Sequence, residues 1–314
     1  MKTESGDKQC TLASPSNLAW HRRQRQGRQC QSIRDTSAPS RASPDWTRQQ
    51  LLDALNDYQF SPHYQPQFEL ATGRIIGVEL LARWHHPTLG VVTPDQFIAP
   101  MEGHGLVGCL TAVMLRHAVG CAHACAAQGH TLRFAINFSP LTLRDARTPR
   151  QLASLLANSG LQPEQITIEM TESESSHAYP VVAASLARLR AIGFHIAIDD
   201  FGTGHSSLSM LNTMPFTELK IDRSFVAAHA RTSKTPPILQ SIVQLADKLG
   251  LRTVAEGIET EAELDFVRAL GCEYGQGYLL ARPMPQTALL HLLTTGARPE
   301  PARPGACALA QSHN

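Results

Sequence analysis

The 314-residue sequence has no uninterrupted apolar run that approaches the ~20 residues a bilayer-spanning helix needs. Its N-terminus also lacks the apolar centre of a secretory signal. Both absences argue against a membrane span and against export. Neither sign of charge dominates, since 28 Lys and Arg face 27 Asp and Glu for a formal net charge of +1. No overall field therefore draws the chain to a nucleic-acid polymer or a membrane surface. Cysteine is present but unorganised. Cys10, Cys30, Cys109, Cys121, Cys125, Cys272 and Cys307 are odd in number and follow no framework spacing. A reduced, cytoplasmic protein is the expectation.

What is present divides the chain into three parts. Residues 1–43 are rich in Ser, Gln and Arg, with few large apolar side chains and no period, and read as a disordered tail. Basic residues such as Arg22, Arg23, Arg25 and Arg28 are concentrated there, on what reads as a solvated segment. Residues 297–314 carry Pro299, Pro301 and Pro304 and read as a second loose tail. The folded part is expected over 44–296. An apolar content of 42% and a charged content of 18% suit a globular core there.

Within that part, short β-like runs alternate with helical patterns. The runs are 62–69, 75–84, 132–137, 165–170, 195–199, 217–221, 252–256 and 273–278. Helical patterns cover 94–103, 106–127, 148–158, 178–192, 236–249, 260–270 and 285–294. Thr93-Pro94-Asp95-Gln96 offers an N-cap, a proline at the first helical position and a capping-box glutamine. This alternation predicts an α/β fold, a TIM-type (β/α)8 barrel. The first two strands are joined only by Ala71-Thr72-Gly73-Arg74, too short for a crossover. The barrel should therefore be modified, with one antiparallel strand near its start.

Polar residues fall where a barrel keeps its chemistry, at the C-terminal strand ends. Asn137 closes the third run, Glu169 the fourth, Asp199 and Asp200 the fifth, and Glu256 the seventh. Lys220 lies in the sixth, Gln276 in the eighth, and Glu79 inside the apolar second run. For one such carboxylate a salt bridge is the simpler account. Five aimed at one mouth would repel one another, and Lys220 alone cannot neutralise them. Divalent cations can. An oxygen-rich ligand set with one amide suits Mg2+ or Mn2+ rather than zinc, and two such ions roughly 4 Å apart would clamp a phosphodiester. His117, Cys121, His123 and Cys125 crowd another stretch, but their spacing matches no usual zinc site and reads as helix filling.

An ordered set of short motifs then resembles the EAL-domain cyclic di-GMP phosphodiesterases. They are Tyr64-Gln65-Pro66, Glu79-Leu80-Leu81-Ala82-Arg83-Trp84, Asn137-Phe138-Ser139, Glu169-Met170-Thr171-Glu172, Asp199-Asp200-Phe201-Gly202, Leu219-Lys220-Ile221-Asp222, Ala255-Glu256-Gly257-Ile258-Glu259 and Gln276-Gly277-Tyr278. The resemblance implies hydrolysis of cyclic di-GMP to linear pGpG by water activated between two divalent cations, Mg2+ or Mn2+. It implies Glu79, Asn137, Glu169 and Asp199 as ligands of one cation, and Asp199 and Asp200 as ligands of the second. Lys220 and Glu256 would be catalytic, Lys220 holding and polarising the attacking water and Glu256 assisting at the metal–water centre as base or ligand. Glu172, Glu259 and Gln276 would brace the surroundings and position water. Gln65, Arg83 and Asp222 would contact substrate. A homodimer through the loop after Asp200 is also implied.

The sequence departs from the family pattern in four places. Leu80 stands where alanine is usual, and Ala82 where leucine is. His205 replaces a frequent tyrosine in the loop that serves dimerisation. Gln67 replaces an apolar residue in the first strand. None of these removes a ligand. The alternative expectation is a catalytically silent cyclic di-GMP receptor or protein-interaction regulator on the same barrel.

Overall fold

The computed structural model describes residues 45–171, 179–202, 208–232 and 237–296. The two expected tails lie outside the described residues. Among these residues nine strands form one sheet: β1 (Phe60–Glu69), β2 (Ile75–His86), β3 (Gly90–Val92), β4 (Arg133–Asn137), β5 (Ile166–Thr171), β6 (His195–Phe201), β7 (Glu218–Ile221), β8 (Arg252–Ala255) and β9 (Tyr274–Gly275). The helices between and around them are α1 (Arg48–Asn56), α2 (Pro94–Gly103), α3 (Val107–Ala126), α4 (Pro140–Leu143), α5 (Thr148–Ala157), α6 (Tyr179–Ile192), α7 (Leu208–Thr213), α8 (Arg223–Thr232), α9 (Pro237–Leu249), α10 (Glu261–Ala269) and α11 (Gln286–Thr295).

The sheet runs β1-β9-β8-β7-β6-β5-β4-β2-β3, and β1 also pairs with β2. That pairing closes eight strands into a barrel and leaves β3 as a short antiparallel flap on β2. β1 is antiparallel to both β2 and β9, whereas the pairings from β2 through β4 to β9 are parallel. The expected modified TIM barrel, with one reversed strand forced by a short turn, is what forms.

Side chains alternate across each strand, which sorts the composition. On β4, β5 and β6, Phe134, Ile136, Ile166, Ile168, Ile196 and Ile198 are buried and belong to the main apolar core. They face the surrounding helices, which contribute Leu110, Leu115, Leu186 and Leu189. The opposite face of the strands is unusually polar. It carries Gln65, Gln67, Glu79, Glu169, Asp199, Glu218 and Lys220, all buried. At the N-terminal end of the barrel, Glu218 is held by Arg133 at 3.5 Å and Arg252 at 3.7 Å. The remaining buried charges meet further along the strands.

Some local expectations change. Helix α2 starts at Pro94 with Thr93 as N-cap, but the threonine hydroxyl caps no backbone amide. Gln96 instead donates its backbone N–H to the Thr93 carbonyl at 3.1 Å and its side-chain amide to the Thr93 hydroxyl at 3.3 Å. Helices α1, α4, α7 and α8 and strand β3 were not foreseen. For α1 a signal existed, because Thr47 and Gln50 form a complete capping box. Helix α3 is long and apolar enough, by length and composition, to cross a membrane, but half of it is buried and it packs on β1. Cys121 and Cys125 are buried in that helix with sulfurs 4.0 Å apart. Cys121, Cys125 and Cys272 are free thiols, while Cys109 is disulfide-bonded, a departure from the fully reduced state expected.

Candidate active site

Carboxylates from four strands or strand ends converge on one ammonium group carried by a fifth. Lys220 Nζ lies 2.9 Å from Glu256, 3.1 Å from Glu169, 3.1 Å from Asp199 and 3.5 Å from Glu79. These groups come from β7, β5, β6, β2 and the residue after β8, so strand alternation alone aims them inward. Two amides tie the ring together. Asn137 Nδ2 donates to Glu79 Oε1 at 3.1 Å. Gln276 Nε2 donates to Glu79 Oε2 at 2.7 Å and to Glu256 Oε1 at 2.9 Å.

Asp200 reaches the same place by a backbone device. Successive strand residues point to opposite faces, so Asp199 and Asp200 should diverge. The β6–β7 register shifts between Ile198 and Phe201, and Asp200 has φ 53°. Such a bulge re-aims a side chain, and Asp is among the few residues that tolerate the left-handed region. As a result Asp199, Asp200 and Glu256 each present an oxygen, all within 4.8 Å of one another. It is the one such group among the described residues.

Electrostatically the ring is underpaid in positive charge. Burial opposes the Lys220 ammonium, but Asp199, Glu169, Glu256 and Glu79 outweigh it and hold its pKa well above the usual lysine value. Burial also raises Glu79, yet Lys220 and the bonds from Gln276 and Asn137 prevail, so Glu79 is held below the usual range. One lysine cannot do this for every member. Burial, with Glu79, Asp199 and Glu256 adding repulsion, drives Glu169 well above the carboxylate range despite Lys220. Glu256 is pushed up to about 8 by burial and by Asp199 and Glu79, against the pull of Lys220. Asp200 is raised by burial and then by Asp199 and Asp222. Neither oxygen of the fully buried Glu169 accepts a hydrogen bond, although Oε1 has its ion contact with Lys220. Oxygen donors left short of positive charge and of hydrogen bonds suit hard divalent cations.

The cluster floors a cavity of about 290 Å³, also lined by Gln65, Asp222, Glu259 and Tyr278. A second, more apolar cavity of about 380 Å³ shares Glu79, Leu81 and Asp199 with the first. It is walled by Leu80, Ala82, Ile98, Leu110, Met114 and Phe138. The two exchanged residues of β2, Leu80 and Ala82, thus line one cavity.

Residues 48–283 match the EAL domain family. The chain belongs to that family. It is 39% identical over 246 residues to the cyclic di-GMP phosphodiesterase NbdA of Pseudomonas aeruginosa, covering 78% of this chain and 31% of NbdA. It is 36% identical over 240 residues to the cyclic di-GMP phosphodiesterase RocR of the same organism, covering 76% of this chain and 61% of RocR. Among solved structures, the PaMucR phosphodiesterase in its c-di-GMP complex superposes with a TM-score of 0.67 at 38% identity, covering 77% of this chain and 98% of that one. This chain therefore spans less than two thirds of both curated relatives.

In the EAL barrel the other expected site residues fall as follows. Gln65 is buried on β1 opposite Glu79 and donates to the Ala281 carbonyl at 3.4 Å. Asp222 accepts from the Ser224 backbone N–H at 2.9 Å and from its hydroxyl, at the start of α8. Glu259 donates its backbone N–H to Glu263 at 2.8 Å and leaves its carboxylate at the cavity. Arg83 stands further along β2, donates to the Ala82 carbonyl at 2.9 Å, and lines neither cavity. Glu172, His205 and the rest of the loop at 203–207 lie outside the described residues. Among the lining residues missed as site residues, two carry polar side chains. Arg223 is adjacent to the Lys220-Ile221-Asp222 motif, and Tyr278 ends the Gln276-Gly277-Tyr278 motif, with the Arg282 guanidinium 4.2 Å over its ring.

Proposed function

We propose that this EAL domain hydrolyses cyclic di-GMP to linear pGpG with the help of two divalent cations, Mg2+ or Mn2+. The observation that carries the reading is the ring of four carboxylates around Lys220, with Asp200 beside it, in a cavity open to ligand. Membership of a family whose relatives NbdA and RocR are cyclic di-GMP phosphodiesterases supports the substrate.

In this reading Glu79, Asn137, Glu169 and Asp199 hold one cation, and Asp199 and Asp200 the other. Bound there, the cations would acidify the attacking water and offset charge on the phosphate. The remaining steps belong to the chain. Lys220 keeps its proton, because the carboxylates raise its pKa, and so it orients water as a donor rather than acting as base. Glu256, 2.9 Å from Lys220 Nζ and bonded by Gln276, would take the proton of the attacking water once the cations lower its own proton affinity. Gln276 holds Glu79 and Glu256 in a fixed relation. Gln65 and Asp222 line the cavity where the sugar–phosphate ring would lie, and Arg83 would approach a phosphate once substrate extends along β2. Glu259 and Glu172 would steady the loops around the water. The adjoining apolar cavity suits a flat base.

The test is incubation of the purified chain with cyclic di-GMP and Mg2+ or Mn2+, with pGpG measured chromatographically. Turnover is expected with both ions and little with Ca2+, which accepts looser geometry and more ligands. Glu79→Ala and Glu256→Ala should each abolish it while circular dichroism stays unchanged. Binding of cyclic di-GMP with no pGpG in any metal would replace this reading with that of a silent receptor.

A further inference from the structure

We propose that Gln67, which shares the inner, polar face of β1 with Gln65, is a positioning residue for the cation site and acts through Gln276. Gln67 is buried at 3% exposure. It is the last β1 residue in regular register with β2. The register then shifts between Gln67 and Phe68, and Phe68 pairs with Ile75 of β2 on one side and with Gly275 of β9 on the other. With β1 held between β2 and β9, Gln67 lies beside Gln276, the residue that follows β9. The Gln67 amide nitrogen lies 3.2 Å from Gln276 Oε1.

The direction of this bond follows from the groups around it. Gln276 Nε2 has two protons, and both have carboxylate acceptors, Glu79 Oε2 and Glu256 Oε1. A carboxylate only accepts, so Gln276 must turn its nitrogen toward the ring and its oxygen away from it. A flipped amide would press its carbonyl oxygen against two carboxylates. The outward oxygen then needs a donor in a buried setting, and Gln67 supplies it. Gln67 thereby locks the rotamer of the one amide that bridges Glu79 and Glu256. An apolar residue at position 67 would fill the space but leave Gln276 Oε1 without this donor. Outer-sphere partners of this kind typically change metal affinity by about 10- to 100-fold when removed.

The inference rests on the reading of Glu79 and Glu256 as parts of a cation site, and its test separates the two. Mn2+ binding to the purified chain is measured by electron paramagnetic resonance of free Mn2+, with no substrate present. Wild type, Gln67→Met, Gln276→Met and the double variant are compared. Gln67→Met should raise the Mn2+ dissociation constant about 10-fold. Gln276→Met should raise it at least as much, and the double variant should be no weaker than Gln276→Met alone, as for two residues acting in series. Gln67→Leu serves as a second donor-free variant, and melting temperatures of the metal-free proteins identify any variant that fails to fold. An unchanged dissociation constant in both folded Gln67 variants would overturn the proposal, as would the same loss in the Gln276→Met background. No Mn2+ binding by wild type would instead overturn the cation site itself.

Discussion

Glu256 sits between opposing influences. Burial raises its pKa, Lys220 at 2.9 Å lowers it, and Asp199 and Glu79 raise it again, to about 8 in total. A carboxyl raised in the folded state binds more protons folded than unfolded between its ordinary pKa and 8. Its stabilising contribution is therefore present at low pH and is lost as pH rises toward 8. His63, His117 and His195, each lowered to about 4 with burial as the main cause, act in the opposite sense. Their effect fades only above about pH 7.5, a unit past the midpoint at which an unfolded histidine loses its charge. The carboxyl effect is therefore read as the difference between wild type and a variant that lacks Glu256. Between about pH 6.5 and 8 the melting temperature of the metal-free wild type should fall relative to that of Glu256→Gln, which removes one titrating group. Equal slopes in the two proteins would contradict the account. At this scale much was legible. Glu79, Glu169, Asp199, Lys220 and Glu256 betray themselves as charges at apolar strand ends, and strand alternation does the rest. The bond from Gln67 to Gln276 was not legible, because the residues are 209 positions apart and meet only through barrel closure.

At the scale of elements, strand β6 is decisive. Alternation predicts that only one of Asp199 and Asp200 faces the mouth, yet the bulge and the left-handed Asp200 bring both there. Asn adopts that conformation readily and carries no charge, whereas Ala at positive φ is strained by about 1 kcal/mol or more. Asp200→Asn should therefore leave stability unchanged or slightly higher, since burial and Asp199 already disfavour the charge. Asp200→Ala should lose about 1 kcal/mol in urea denaturation. Both should lose at least about 100-fold in cyclic di-GMP hydrolysis, the scale on which preorganised charge acts. Retention of activity by Asp200→Asn would remove Asp200 from the site. The long periodic elements were readable, and α2, α3 and α6 begin and end within a residue or so of their patterns. Helix α4, of four residues, and α7, of six, were not, because so short a stretch carries no periodic signal. Strand β3 is only three residues long and is fixed by its pairing to β2, a tertiary effect.

For the whole molecule, the barrel separates two solvents. Apolar side chains fill the layer between strands and helices, and polar ones fill the barrel itself. The reversed β1 is part of this arrangement, since it brings Gln65 opposite Glu79 and Gln67 toward Gln276. The alternation of strand and helix, and the four-residue turn after β1, were enough to read the barrel and its reversal from sequence. The balance of charge inside it was read as an excess of carboxylates, and the geometry sharpens that excess to four carboxylates sharing one lysine. The account as a whole requires divalent cations at this point. Isothermal titration of the metal-free chain with Mn2+ tests it most directly. About two ions per chain should bind, and 100-fold saturation should stabilise the fold by about 2.7 kcal/mol per site. Asp199→Asn, which alters the carboxylate between the two positions, should abolish this binding. Absence of binding in wild type, or undiminished binding in Asp199→Asn, would contradict it.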